Sequence, residues 1–384
     1  MTSSQQEPHL PLKNMLVVEL GHSVAAPFAG QILGDLGARV IKIEKADGGD
    51  DARAWGPPFL DGTSTCYLSL NRNKHSVAVN LRDAVQLDRV REFIAGNADV
   101  VLQNLRPGSV EKLELGAAAL RKRNDRLIYC NLGAFGRSGP LSDRPGYDPL
   151  MQAYGGIMSV TGEEGRPPVR VGVSIVDMAT GMWAVIGILA ALHQRAITGR
   201  GCEVDVSLFE SALAWMTVHV ANFTASGELP ARLGSGAVIT APYQAFRAKD
   251  GYVVIAAGND SLFRKLAAAL GRPGWADDEK FRTSEARLKN KQELVALIEA
   301  EVSRSPMSEC IERLEQAGVP CAPIQDVGQV LSAPQTEALG ILQSLAGGRL
   351  RLVGLPISFG GVRPGVRLPP AGLGEHNEEI FRTR

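Results

Sequence analysis

Residues 15–43 read MLVVELGHSVAAPFAGQILGDLGARVIKI, and this stretch decides the fold. Residues 15–20 form an apolar run that stops at Gly21, the length and character of a buried strand. Over 26–36 the apolar positions recur at helical spacing, with Pro27 in the first turn, where proline is tolerated. Residues 39–43 (RVIKI) return to strand character. Strand, helix and strand in so short a span make a βαβ unit.

The alternation continues outward from this unit. After a polar loop at 47–65, residues 76–81 read as a third strand, 83–95 as a helix and 99–103 as a fourth strand. A helix over 109–122 precedes a fifth strand at 127–132. Such an order implies a mostly parallel sheet with right-handed crossovers, an α/β doubly wound domain. A loop spans 133–149, and Asp177 opens the most apolar helix, which Gly199 and Gly201 stop. A strand at 203–206 and a second long helix from 208 follow. A Gly- and Ser-containing connector at 225–240 leads to a smaller α+β unit with a strand at 252–257 and helices near 262–270, 292–303 and 308–316. The chain thus divides into 1–224, 225–325 and 326–384.

Composition narrows the function. At 384 residues two or three domains are expected. Hydrophobic residues at 45% and charged residues at 21% exclude wholesale disorder. Basic and acidic residues balance at 41 each, which excludes nucleic acid or an anionic membrane as the main partner. The longest apolar run, 182–192, is too short to cross a bilayer, and residues 1–13 resemble neither a signal nor a transit peptide. The five cysteines include no C-x-x-C pair, and no H-E-x-x-H is present. A reduced, cytoplasmic protein without a resident metal or cofactor is expected.

No P-loop motif occurs. Gly21-His22-Ser23-Val24-Ala25 is a near miss for both the dinucleotide fingerprint and the nucleophile elbow, but its backbone N–H groups could still meet a ligand. Taken alone, Asp177 is an N-cap whose carboxylate the helix dipole keeps ionised. His22, His75 and His193 have no sequence partners for a triad or a metal site.

Several stretches together resemble the family III CoA-transferases, the group of formyl-CoA transferase and carnitine CoA-transferase. They are PFAGQILGDLGARVIKIE at 27–44 with Gly49-Asp50; Asn71-Arg72-Asn73-Lys74 with Ser76; and Asn104 with Arg106-Pro107-Gly108. Ala98-Asp99-Val100, Gly146-Tyr147-Asp148 with Gln152, Asp177 with Thr180-Gly181, Thr198-Gly199-Arg200-Gly201, Pro242-Tyr243, Asp250-Gly251 and Leu373-Gly374-Glu375-His376 complete the set. The order holds across nearly the whole chain.

The resemblance implies a Rossmann-like large domain that binds CoA, a small inserted domain, and a C-terminal segment returning to the large one. It also implies an interlocked homodimer. Asp177 matches the family's nucleophilic aspartate. His22, Ser23, Val24, Ala25, Lys45, Arg72, Lys74, Asn104, Leu105, Lys112 and Tyr147 match positions along CoA. Gly234, Ser235 and Gly236 resemble the glycine loop over the active site. The implied partners are an acyl-CoA and a small carboxylic acid, with coenzyme A arriving as substrate.

Within the family, 170–181 and 243–263 are most similar to the branch that uses dicarboxylates, with succinyl-CoA as donor. Arg53, Arg72, Arg144 and Arg170 are candidates to hold a second carboxylate. The competing readings are an α-methylacyl-CoA racemase and a non-catalytic CoA-binding protein on the same fold. The racemase needs a proton acceptor where this chain has Tyr147, a poor base.

Overall fold

The structure is a computed structural model that describes residues 10–381. Residues 1–9, most of the N-terminal stretch read above, lie outside the described residues. The chain forms two units. The first runs to Ile157 and adds Arg170–Gly227 and the chain from Glu337 onward. The second comprises Met158–Val169 and Glu228–Thr336.

Six strands make the sheet of the first unit: β1 (Leu16–Leu20), β2 (Arg39–Lys45), β3 (Lys74–Val79), β4 (Val100–Gln103), β5 (Ile128–Gly133) and β6 (Glu203–Ser207). They lie in the order β3-β2-β1-β4-β5-β6, parallel at every pairing. The order reverses between β1 and β4. A doubly wound sheet opens a crevice at the carboxyl ends of its strands at such a point.

Helices cover both faces. Those that matter below are α1 (Ala25–Asp35), α2 (Ala84–Asn97), α3 (Ser109–Lys112), α4 (Ala117–Arg123), α5 (Asp148–Tyr154), α6 (Ile175–Thr198), α7 (Leu208–Trp215) and α8 (Thr217–Ser226). On one face Val18, Ile41, Val77 and Val101 pack with Leu87, Val90 and Ile94 of α2 and Leu120 of α4. On the other, α1 meets α6 so closely that a Cβ at Gly181 would stand 2.8 Å from the Ala25 carbonyl oxygen. The single helix expected over 109–122 is two, because Glu114 takes φ +50 between α3 and α4.

By length and composition α6 could cross a bilayer, which the run at 182–192 alone does not suggest. Its Ala179, Ala184, Val185 and Ile188 are nevertheless buried inside the first unit, as in the core helix of a large domain.

The second unit has a three-stranded antiparallel sheet of β7 (Tyr243–Arg247), β8 (Tyr252–Ala256) and β9 (Cys321–Pro323), with β8 in the middle. Its core gathers Phe246, Val253 and Ile255 with Phe263, Leu266, Leu294, Ile298 and Leu314 from α9 (Asp260–Ala269), α10 (Lys291–Val302) and α11 (Met307–Gln316). Met158–Val169, which the sequence leaves in the large domain, belongs here. The Gly234 amide donates to the Gly162 carbonyl at 2.8 Å, and Arg232 donates to the carbonyls of Glu163 and Arg166.

In the first unit the C-terminal segment closes the free edge of β3. The His376 amide donates to the Ser76 carbonyl at 3.0 Å, and the Ser76 amide donates to His376 Nδ1 at 3.3 Å. Asn377 repeats the pattern on Ala78, accepting from its amide at 2.8 Å and donating to its carbonyl at 2.9 Å. The His376 amide and the two side chains of His376 and Asn377 thereby do the work of a seventh strand.

Candidate active site

At the switch point the turn after β1 is held rigidly. Ser23 sits at φ +71, a left-handed conformation that a non-glycine residue adopts only when its surroundings impose it. The His22 amide donates to Asn104 Oδ1 at 3.0 Å, and Asn104 Nδ2 donates back to the His22 carbonyl at 2.9 Å. The Ser23 amide donates to Asp50 Oδ1 at 3.0 Å. Asn104 therefore stitches the crevice together, and the His22 and Ser23 amides are already engaged. The amino end of α1 at Val24 and Ala25 has no side-chain cap, so that end is the one available to a ligand. Burial holds the His22 imidazole below its usual pKa, against the pull of Asp50 and Asp51.

Two of the expected cations are not at the surface. Lys74 is buried; its ammonium pairs with Glu19 at 2.8 Å and donates to the Pro27 carbonyl at 2.7 Å and to Asn71 at 2.9 Å. Burial lowers its pKa despite Glu19. Arg72 is also buried and forks onto Asp35 at 2.6 and 3.0 Å. All three Lys74 donors are spent inside the protein, and the Arg72 fork is buried on Asp35 with Nη1 on the Val353 carbonyl, so both are corrected from exposed ligand contacts to internal ion pairs.

Lys42 completes this network by meeting Glu19 at 2.7 Å and Asp50 at 2.9 Å. Glu19 thus bridges two lysines, and Asp50 links the network to the Ser23 turn. Arg53 forks onto Glu44 at 2.8 and 2.7 Å, which removes it as a substrate carboxylate clamp. Lys45 is exposed and paired only with exposed Asp51 at 2.6 Å, a contact a ligand could displace. Lys112 of α3 is exposed and makes no ion pair among the described residues, and the same holds for Arg106. Arg106 follows β4 at the crevice; the sequence offers it only as part of Arg106-Pro107-Gly108, although its place directly after a strand end was the signal. Leu105 beside it is half-buried against the core of α2 and α4.

Asp177 is not the first residue of its helix. α6 begins at Ile175, and Ser174 in the cap position makes no side-chain cap. The cap comes from elsewhere: Asp148 Oδ2 accepts from the Val176 amide at 2.8 Å and from the Asp177 amide at 3.2 Å. The Asp177 carboxyl is therefore spared capping. It lies one turn before Gly181 on the same face, the face that packs on α1. Burial, together with the Asp148 charge, pushes Asp177 up to about 7, opposite to the expectation from the helix dipole alone. Tyr147, the residue before α5, is 58% exposed.

Gly234, Ser235 and Gly236 lie in the second unit as a tied turn. The Gly236 amide donates to the Leu233 carbonyl at 2.8 Å, and Ser235 Oγ accepts from the Ala245 amide of β7 at 3.0 Å. In the first unit His75, His376 and Glu379 bring potential metal ligands within 4.8 Å of one another. Two of the three are already employed at the β3 edge: Glu379 pairs with Arg39 at 2.7 Å, and His376 Nδ1 faces the Ser76 amide.

The family model for CoA-transferase family III matches residues 12–377. Succinyl-CoA:glutarate CoA-transferase of Mus musculus is 37% identical, over 97% of this chain and 86% of the mouse chain. Acetyl-CoA:oxalate CoA-transferase of Acetobacter aceti is 38% identical, over 92% of this chain and 90% of its own. A crystal structure of a CAIB/BAIF family protein from Brucella suis shares 38% identity and superposes with a TM-score of 0.88, over 96% of this chain and 98% of that one.

Proposed function

The chain belongs to CoA-transferase family III and is a CoA-transferase; from that premise we propose that it moves CoA from succinyl-CoA to a small dicarboxylic acid through covalent intermediates on Asp177. The observation that carries this reading is the Asp177 carboxyl at the head of α6, relieved of helix capping by Asp148.

The chemistry needs no base. An Asp177 oxygen attacks the thioester carbonyl; the C–O bond forms, the C–S bond breaks, and CoA leaves as thiolate. The thiolate attacks the Asp177 carbonyl carbon of the mixed anhydride, giving an aspartyl-CoA thioester and releasing the first acid as carboxylate. The acceptor carboxylate then attacks that thioester, a second anhydride and thiolate result, and thiolate attack on the acceptor's acyl carbon returns Asp177. Every nucleophile and every leaving group is an anion, so no proton moves at any step.

CoA phosphates would meet the uncapped start of α1 together with Arg106, Lys112 and Lys45. Of the four arginines considered for a second carboxylate, Arg144 and Arg170 remain exposed and free of ion pairs among the described residues. The relatives named as succinyl-CoA:glutarate and acetyl-CoA:oxalate CoA-transferases support a dicarboxylate acceptor. Comparing kcat/KM for succinyl-CoA and butyryl-CoA tests it: a preference of about tenfold or more for succinyl-CoA is expected from one bidentate arginine contact. Equal values would place the substrate among monocarboxylates. Hydroxylamine added after acyl-CoA should modify Asp177, and full activity of Asp177→Ala would end the covalent mechanism.

The active form is an interlocked homodimer. Met182, Trp183 and Ile186 on α6, Trp215 on α7, and Val218 and Phe223 on α8 leave a large apolar area uncovered in one chain. Sedimentation should give twice 41.0 kDa, and a stable active monomer would contradict it. All five cysteines are free thiols, in keeping with a cytoplasmic setting.

A further inference from the structure

Among the buried side-chain amides of the first unit, Gln152 is the one bonded to the carboxylate that caps α6. Gln152 is fully buried on α5, four residues after Asp148 and on the same helix face. Its Oε1 accepts from the Val171 amide at 2.8 Å, and its Nε2 donates to Asp148 Oδ1 at 2.6 Å and toward the Val171 carbonyl at 3.3 Å. The contact with Val171 admits one orientation of the amide, because a flipped NH2 would face the Val171 N–H. That orientation aims a donor at Asp148.

Asp148 is consequently surrounded. One oxygen accepts from Gln152, and the other accepts from the Val176 and Asp177 amides. Three donors and no acceptor are the environment of a carboxylate, not of a carboxylic acid. A fixed negative charge thus stands at the amino end of α6, whose third residue is Asp177.

We propose that Gln152 is a positioning residue for acyl transfer: it locks the Asp148 carboxylate beside Asp177, and the resulting like-charge contact favours the acylated forms of Asp177 over its free anion. The inference rests on Asp177 being the nucleophile. Free Asp177 carries a charge in a half-buried place next to another charge, whereas its anhydride and its CoA thioester carry none at that carboxyl. Whatever destabilises the anion therefore drives covalent bond formation, provided it is absent from the intermediates. The upward displacement of Asp177 to about 7 agrees with this, with burial as the larger cause and Asp148 as the second.

The test uses Gln152→Met, which keeps length and removes all three side-chain hydrogen bonds, with Asp148→Asn as an independent variant that removes the charge. Two quantities are read: the acidic midpoint of the kcat/KM–pH profile, and the fraction of enzyme trapped as aspartyl-CoA thioester when acyl-CoA is added without acceptor. Both variants should move the midpoint to lower pH by about one unit and trap several-fold less thioester. Loss of activity with the midpoint and trapped fraction unchanged would reduce Gln152 to a packing residue and overturn the proposal. Should Gln152→Met fail to fold, Asp148→Asn decides by the same two readings. Absence of any adduct at Asp177 in the unaltered protein would instead overturn the nucleophile assignment, and the proposal with it.

Discussion

Replacing Asp177 by asparagine should stabilise the protein at alkaline pH while abolishing transfer. The native carboxyl titrates near about 7, against an ordinary value of 3.8, because of burial and then Asp148. Between these values the folded state holds a proton that the unfolded chain has released, so stability falls as pH rises through the window and levels off above it. Each unit is worth about 1.4 kcal/mol. From pH 5 to pH 8 the side chain thus costs the native state up to about 3 kcal/mol, and roughly 2 once partial solvent access is allowed for. Asparagine, which cannot titrate, removes this loss. The assay is the melting-temperature difference between Asp177→Asn and the unaltered protein at the two pH values. In a chain of this size the variant's advantage should widen by roughly 2–3 °C from pH 5 to pH 8. An equal difference at both pH values, or one that narrows, would refute the assignment of a raised pKa and the electrostatic account of the site.

Because only the carboxylate attacks, kcat/KM for acyl-CoA, which meets the free enzyme, should rise with pH as Asp177 ionises and flatten above about 7, whereas kcat/KM for the acceptor, which meets the aspartyl-CoA thioester, should not follow Asp177; an acyl-CoA profile flat from pH 5 to 8 would contradict this. Lys74→Met should destabilise the fold by roughly 3 kcal/mol by leaving Glu19 one partner short, with little effect on the KM for acyl-CoA of the enzyme that folds; denaturant melts and kinetics separate the two. Arg106→Ala and Lys112→Ala should each raise that KM by about fivefold with kcat unchanged, as removal of uniform binding requires, and the loss should shrink at high salt. Unchanged KM values in both would move the phosphates elsewhere.

The periodicity over residues 15–43 and its continuation were sufficient to establish a doubly wound sheet, because each strand and helix there is a local pattern. Long-range partners were not legible. Lys74 and Arg72 read as cations along CoA until Glu19 and Asp35, distant in sequence, are brought against them. The start of α6 was misplaced for the same reason: its cap, Asp148, lies 28 residues before Val176. Asn104 was recognised as a position along CoA, but its part in clamping the His22 turn depends on a contact across 82 residues. Met158–Val169 changed units through hydrogen bonds to Arg232 and Gly234 that no periodicity announces.

The hydrogen bonds from His376 and Asn377 onto Ser76 and Ala78 span about 300 residues of chain. On the ribosome β3 is made about 300 residues before its edge cover, so while the intervening chain is synthesised that strand presents unpaired amides and carbonyls. A domain can finish folding only once all of its pieces have left the exit tunnel; this large unit must wait for residues 376 and 377. The nascent chain therefore spends most of its elongation time with a sticky sheet edge. Any truncation, frameshift or early stop that removes residues 376 and 377 would make that exposure permanent, so a short loss there endangers solubility far more than its distance from the reacting atoms implies.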